Sequence, residues 1–63
     1  MYNFTAIWYD QTKEVKRDEI SIDKNDIRLA TAMAHGLYLS KGKECPGPCV
    51  TVVSADGKVD TNV

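Results

Sequence analysis

A helical stretch from Asp23 to Gly42 lies between two segments with the composition of β-strands, and this order constrains the fold more than any other feature. Asp23 is a residue type that caps helices, because its carboxylate accepts hydrogen bonds from the free amides of the first turn. Asp26 adds negative charge near the positive end of the helix dipole. Gly42 is a residue type at which helices commonly end. The start and stop signals therefore agree.

The segment before this helix predicts a pair of strands. Tyr2 to Tyr9 is rich in aromatic and β-branched residues, as strands are, and a second strand follows over Glu14 to Ile22. The apolar residues change parity within the second strand. This change indicates either a bulge near Arg17–Glu19 or an early end of the strand.

The segment after the helix supplies the rest of the sheet. Val50 to Ser54 predicts a strand, Asp56-Gly57 is typical of a type I′ hairpin turn, and Lys58 to Thr61 then forms a short return strand. The fold class is therefore α+β, a three- to four-stranded antiparallel sheet with one helix packed on one face, in the order ββαβ or ββαββ. We expect residues 1–63 to form a single domain, because a chain of 63 residues is long enough for one small domain at most.

The predicted helix has apolar residues on two sides when it is projected at about 100° per residue. One side has the width of a core-facing stripe, and its members are Ile27, Ala30, Met33, Ala34, Leu37 and Tyr38. Leu29, Ala32, Gly36 and Leu39 lie opposite that stripe and are also apolar or small. Because a small sheet covers only one side of a helix, this second strip predicts contact with a larger protein or with a second copy. The alternative is that these are the scattered surface leucines common in soluble proteins.

The chain offers few residues for catalysis or metal binding. Cys45 and Cys49 do not have the C-x-x-C spacing of redox motifs, and His35 alone does not complete a four-ligand zinc site with them. We expect both thiols to be reduced, with a disulfide inside the Pro46-Gly47-Pro48 loop as the alternative. His35 has no partner group for general-base chemistry. We therefore expect no enzyme activity, no cofactor and no metal.

The charge pattern leaves one alternative function open. The net charge is −1 and the charges alternate in sign, which is not typical of nucleic-acid-binding proteins. Aromatic residues beside basic residues can nevertheless stack bases and contact phosphates. The residues of this alternative are Trp8, Tyr9, Lys13, Lys16 and Arg17.

Sequence signals for membranes and secretion are missing from this chain. It has no run of about 18 apolar residues, so we expect no membrane-spanning helix. Met1 to Asp10 lacks the charged and apolar regions of a signal peptide. We therefore expect a cytoplasmic location.

The order of elements, with Val50-Thr51-Val52-Val53 followed by Asp56-Gly57, resembles several groups of very small proteins. It is similar to small phage proteins that bind and inhibit host enzymes, such as the T7-type inhibitor of host RNA polymerase and some anti-CRISPR proteins. It also looks like small bacterial domains of unknown function that end in a valine-rich strand and an Asp-Gly turn. The resemblance covers most of the chain and rests on layout, so it identifies no functional residue. It implies a small interaction module that binds and modulates a larger protein.

Overall fold

The computed structural model describes residues 1–39 and 49–62. Four strands and one helix follow in the order ββαββ: β1 Tyr2–Asp10, β2 Lys13–Ile22, α1 Ile27–Leu39, β3 Val50–Ser54 and β4 Val59–Thr61. The strands form one antiparallel sheet with the spatial order β2-β1-β3-β4. The helix lies against one face of this sheet. The predicted α+β class is therefore confirmed.

A tight turn joins the two long strands. Asp10 of β1 lies opposite Lys13 of β2, which leaves Gln11 and Thr12 as the turn residues. Gln11 has a φ of 60°, a left-handed conformation that glycine adopts more readily than glutamine does. The turn thus keeps the hairpin in register at a small cost in backbone strain.

A β-bulge interrupts β2 near this turn. Lys16 lies opposite Trp8, but Glu14 lies opposite Tyr9, so Val15 is the extra residue. A bulge was one of the two interpretations of the parity change in β2. The structure places it nearer the turn than predicted, and β2 continues unbroken to Ile22.

The helix begins one turn later than predicted, because Asp26 and not Asp23 caps it. The Oδ1 atom of Asp26 accepts hydrogen bonds from the amides of Arg28, at 3.1 Å, and Leu29, at 3.2 Å. The prediction of Asp23 as the cap was wrong, and the predicted end at Gly42 lies outside the described residues. Within the described ranges, no helix is long and apolar enough to cross a membrane.

The core lies between α1 and the face of the sheet that it covers. Ala30 and Ala34 of the helix are fully buried there. Because both side chains are single methyl groups, the helix can approach the sheet closely. The indole Nε1 of Trp8 donates a buried hydrogen bond of 3.0 Å to the backbone carbonyl of Ala34. The sheet contributes the remaining buried core residues Phe4, Ala6, Trp8, Ile20, Ile22, Val50 and Val52.

The buried side of α1 differs from the predicted stripe. Met33 and Leu37 were predicted to face the core but are 43% and 52% exposed, whereas Thr31 is only 4% exposed. The Thr31 hydroxyl donates a 2.8 Å hydrogen bond to the carbonyl of Ile27, so its burial leaves no hydroxyl without a partner. Contact through the two alanines therefore rotates the helix and turns two of its larger side chains outward.

The hairpin between β3 and β4 has a different turn from the predicted one. A type I′ turn needs positive φ at both central residues, but of Asp56 and Gly57 only Gly57 has it, at 92°. The amide of Gly57 donates to the carbonyl of Ser54 at 3.1 Å, and the amide of Ser54 donates to the carbonyl of Lys58 at 2.8 Å. The geometry is that of a type I turn followed by a left-handed glycine. The predicted type I′ turn was therefore wrong, although the hairpin itself is present.

The Trp8 contact with the helix yields a first testable prediction. We expect Trp8→Phe to lower the free energy of unfolding by about 1–3 kcal/mol, because it removes the hydrogen bond to Ala34 and leaves a small cavity. Urea denaturation followed by far-UV circular dichroism measures this change. Tyr2→Phe is the matched control, because Tyr2 is exposed. Equal effects of the two substitutions would contradict the anchoring role of Trp8.

The β3–β4 turn predicts a dependence of stability on acid. The hydrogen bond from the Ser54 hydroxyl lowers the pKa of Asp56 below its ordinary value of 3.8, and a bond from the Lys58 amide adds to this. A carboxyl group whose pKa is lowered by folding stabilises the fold at pH values above its pKa in the unfolded chain. This stabilisation is lost as the pH falls through the pKa of the folded state. We expect the urea midpoint to fall as the pH drops below 3.8.

A variant separates this turn from other acid-sensitive groups. Ser54→Ala removes the main cause of the lowered pKa of Asp56, so its urea midpoint should depend less on acid than that of the wild type. Glu14→Gln is the comparison variant. The pKa of Glu14 is also lowered, mainly by its hydrogen bond with Arg17, so this variant removes another acid-sensitive group and leaves the turn intact. The same acid sensitivity in Ser54→Ala and in the wild type would rule out this role for the turn.

Candidate functional site

The outward side of α1 is the candidate site, and we call it the helix strip. Its members are Leu29, Ala32, Met33, Gly36, Leu37 and Leu39, all of them exposed. Surface helices usually carry charged residues on the side away from the core. None of these six residues is charged, and Leu29 and Leu39 are 38% and 48% exposed. The four residues predicted from the sequence are therefore together on one exposed surface, with Met33 and Leu37 added.

The helix strip consists of a ridge of large side chains with two small residues beside it. Leu29, Met33 and Leu37 are four residues apart in sequence, so they lie one above the other along the helix. Ala32 and Gly36 run beside this ridge. Among the described residues, a Cβ atom added at Gly36 would meet nothing within 4 Å, so their packing does not require glycine there. The surface beside the ridge thus has room for atoms of another molecule.

Two contacts hold the helix strip in place. The Asp26 cap fixes the first turn of α1, and the bond from Trp8 to the Ala34 carbonyl fixes its second half on the sheet.

Sequence reasoning missed Met33 and Leu37 as members of the strip. The pair Ala30 and Ala34 was the available signal, because small residues four apart allow the closest approach to a sheet of large side chains.

The aromatic part of the nucleic-acid alternative is largely covered. Trp8 lies in the core and is only 5% exposed, so its ring has little surface for stacking a base. The Nζ atom of Lys16 lies 5.4 Å from the centre of the same ring, on the helix side of the sheet. This geometry is that of a cation–π contact, which holds Lys16 against the chain's own tryptophan.

The other basic residues of that alternative lie elsewhere. Arg17 and Tyr9 are on the sheet face opposite the helix, and Lys13 lies at the turn. The Arg17 guanidinium forms an exposed ion pair of 2.9 Å with Glu14. Their hydrogen bond, together with the attraction of the two charges, lowers the pKa of Glu14 and raises that of Arg17. The structure therefore brings Tyr9 and Arg17 to one face but does not bring all five residues of the alternative to one surface.

Cys49 corrects the expectation of reduced thiols. It is disulfide-bonded and only 5% exposed, while Cys45 lies outside the described residues. Its backbone is held on both sides, since its carbonyl accepts a 2.7 Å hydrogen bond from the Tyr9 amide and its amide donates to Asn62. In the part of the chain that the structure describes, no group of three or more His, Cys, Asp or Glu residues could hold a metal ion.

Asn62 ties the end of the sheet to the start of β3. Its Oδ1 atom accepts hydrogen bonds from the amides of Cys49, at 2.9 Å, and Val50, at 2.6 Å. The backbone amide of Asn62 donates to the Val50 carbonyl at 3.1 Å, and its side-chain Nδ2 atom lies 3.6 Å from the Cys49 sulfur. No sequence motif pointed to this role, because the contacts join residues that are distant in the chain.

A pocket at the opposite end of the sheet is too small to be a strong candidate. Its volume is about 190 Å³. Ligand pockets usually have volumes of about 300–1,000 Å³. The residues that line it are Tyr2, Asn3, Phe4, Asn25, Ser54, Ala55 and Asp56.

The contacts of Asn62 yield a prediction about stability. We expect Asn62→Ala to lower the free energy of unfolding by about 2–4 kcal/mol, because it removes the oxygen that accepts from the amides of Cys49 and Val50. Asn62→Asp retains an oxygen acceptor, so it should cost less. Urea denaturation measures both variants, with the exposed Asn25→Ala as a control. Equal losses in Asn62→Ala and Asn62→Asp would show that the acceptor is not what matters.

Comparisons of this chain with protein-family models, with curated proteins and with solved structures found no match. The resemblance in layout to phage-type inhibitors, anti-CRISPR proteins and small bacterial domains therefore stays a prediction. Among the described features, the helix strip is the main basis for a proposal about function.

Proposed function

We propose that this protein is a small non-enzymatic interaction module that binds a larger protein through the helix strip and modulates it. The observation that supports this proposal most is the outward side of α1, which is apolar and uncharged over six residues. A folded protein gains nothing in stability by leaving such side chains in water. A partner that covers them removes their apolar surface from solvent, and this is the dominant favourable term in most protein association.

The spacing of the ridge favours one mode of recognition. Leu29, Met33 and Leu37 have the spacing of residues with which an amphipathic helix enters a hydrophobic groove. Each is between 38% and 52% exposed, so full burial contributes about 1 kcal/mol per side chain. These three residues supply the centre of an interface and not the whole of it, because a stable interface buries about 800 Å² per partner. This arithmetic favours a larger partner whose groove also contacts residues around the ridge.

Inhibition of a host enzyme by a phage-type protein is one form that this function takes. The support is the layout of strands and helix together with an apolar surface on a very small domain. This proposal includes a cytoplasmic location for the protein. The disulfide at Cys49 counts against it, because disulfides persist mainly in oxidising compartments.

Nucleic-acid binding is the alternative function, and one observation favours it. Tyr9 and Arg17 share the sheet face opposite the helix, where an aromatic ring and a guanidinium can contact a single-stranded nucleic acid. A titration with single-stranded DNA at low salt tests this alternative, because phosphate contacts weaken as salt rises. Binding that Arg17→Ala abolishes would favour the alternative over the helix strip.

A cross-linking experiment tests the proposed function. A photoreactive amino acid replaces Met33 in the helix strip, and the same replacement at Val15, an exposed residue of β2, is the matched control. We expect one protein adduct from position 33 and none from position 15. An excess of unlabelled wild-type protein should abolish the adduct, whereas an excess of Met33→Lys should not. An adduct that both competitors abolish equally would contradict docking through the ridge.

Gly36→Ala separates the fold from the docking. Because a Cβ atom at this position meets none of the described residues within 4 Å, we expect the variant to be more stable by about 0.5–1 kcal/mol through its higher helix propensity. The added methyl group occupies space beside the ridge, so the adduct from position 33 should weaken. A variant that gains stability and forms the adduct as before would show that the partner does not approach Gly36.

A further inference from the structure

The centre of the sheet face opposite the helix is a second uncharged surface, and we call it the open face. It consists of two rows that run across β1, β3 and β4. The first row contains Ile7, Thr51 and Thr61, and the second contains Thr5, Val53 and Val59. All six residues are β-branched; Val59 is 63% exposed, whereas Ile7 is only 9% exposed. Of the elements in the described ranges, only α1 lies outside the sheet, and it covers the other face.

Each row of the open face ends in a charged residue on β2. Arg17 lies opposite Ile7 and so ends the first row with a positive charge. Glu19 lies opposite Thr5 and ends the second row with a negative charge. The two rows therefore carry opposite charges at the same edge of the sheet.

We propose that a second copy of this chain packs on the open face, with a two-fold axis that lies between the sheets and perpendicular to the strands. This axis places the first row of one copy over the second row of the other. Arg17 of each copy then meets Glu19 of the other copy, so the charge pattern is complementary to itself. Between the two uncharged rows Thr51 faces Val53 and Thr61 faces Val59, while Ile7 lies beneath this contact because it is already buried within each copy.

Packing about a different axis would not pair the charges. A two-fold axis parallel to the strands places β2 of one copy over β4 of the other, so Arg17 and Glu19 face Thr61 and Val59. The contact would then cover two charges without a partner, which costs more than it gains. The perpendicular axis avoids this cost, and the tilt of about 30° between packed sheets keeps the strands near alignment.

The intramolecular pair of Arg17 with Glu14 is no obstacle to this contact. Both side chains are exposed, and an exposed ion pair contributes little to stability, so the guanidinium can turn towards the other copy at small cost. The open face is small, because a four-stranded sheet is only about four strand spacings of 4.8 Å wide. It falls short of the area of about 800 Å² per partner in a permanent dimer. We therefore expect a dimer that forms only at high protein concentration.

Sedimentation velocity of the 63-residue chain over a range of about 10 µM to about 1 mM tests this proposal. We expect the wild type to shift from monomer to dimer across this range. Arg17→Glu and Glu19→Arg should each abolish the dimer, because each places like charges opposite one another. The double variant Arg17→Glu/Glu19→Arg should restore it, and a mixture of the two single variants should form a heterodimer. A wild type that stays monomeric at the highest concentration overturns the proposal.

Three further variants assign the dimer to a surface. Val59→Lys changes an exposed residue of the open face and should abolish the dimer, whereas Lys24→Glu, an exposed residue of the β2–α1 connection, should leave it. Met33→Lys in the helix strip should also leave it. A dimer that is lost in Met33→Lys but survives Val59→Lys overturns the proposal. Circular dichroism confirms that each variant is folded, and the result does not depend on the cross-linking at Met33.

Discussion

The structure depends on the contact between the indole of Trp8 and the backbone of α1. A hydrogen bond to a helix carbonyl forms only if the helix axis lies close to the sheet, and the methyl groups of Ala30 and Ala34 permit this approach. This closeness decides which residues of the helix are covered. Thr31 is buried and bonded to its own helix, while Met33 is turned outward. The apolar surface of the helix is therefore a consequence of how the core is packed.

The fold class and most of the strands could be predicted from the sequence, because alternation, composition and turn residues are local signals. The start of the helix could not, since Asp23 and Asp26 are equally good caps by residue type and only Asp26 reaches the amides of Arg28 and Leu29. Four members of the helix strip were predicted because an apolar strip opposite a core-facing stripe is visible in projection. Met33 was missed because hydrophobicity alone assigned it to the core, whereas packing through alanines excludes it. The contacts of Asn62 were missed because they join residues far apart in the chain.

A two-layer domain of this size has two outer sides, and both are unusually free of charge at their centres. The outer side of the helix is a ridge, which suits a groove in a partner. The outer side of the sheet is flat and β-branched, which suits another flat sheet. β2 carries six charged residues, with Lys16 held by Trp8 and Arg17 paired with Glu14. The helix strip and the open face are separate surfaces for contact, and a chain of 63 residues can present both at the same time.

The bulge at Val15 matters for the free edge of the sheet. β2 is an outermost strand of 10 residues, and an edge of this length offers backbone donors and acceptors to any extended segment that meets it. An added strand would have to follow the irregular backbone at Val15 and accept the charges of Lys13 and Lys16 beside it. The bulge and these charges therefore oppose growth into fibres by strand addition along the β2 edge.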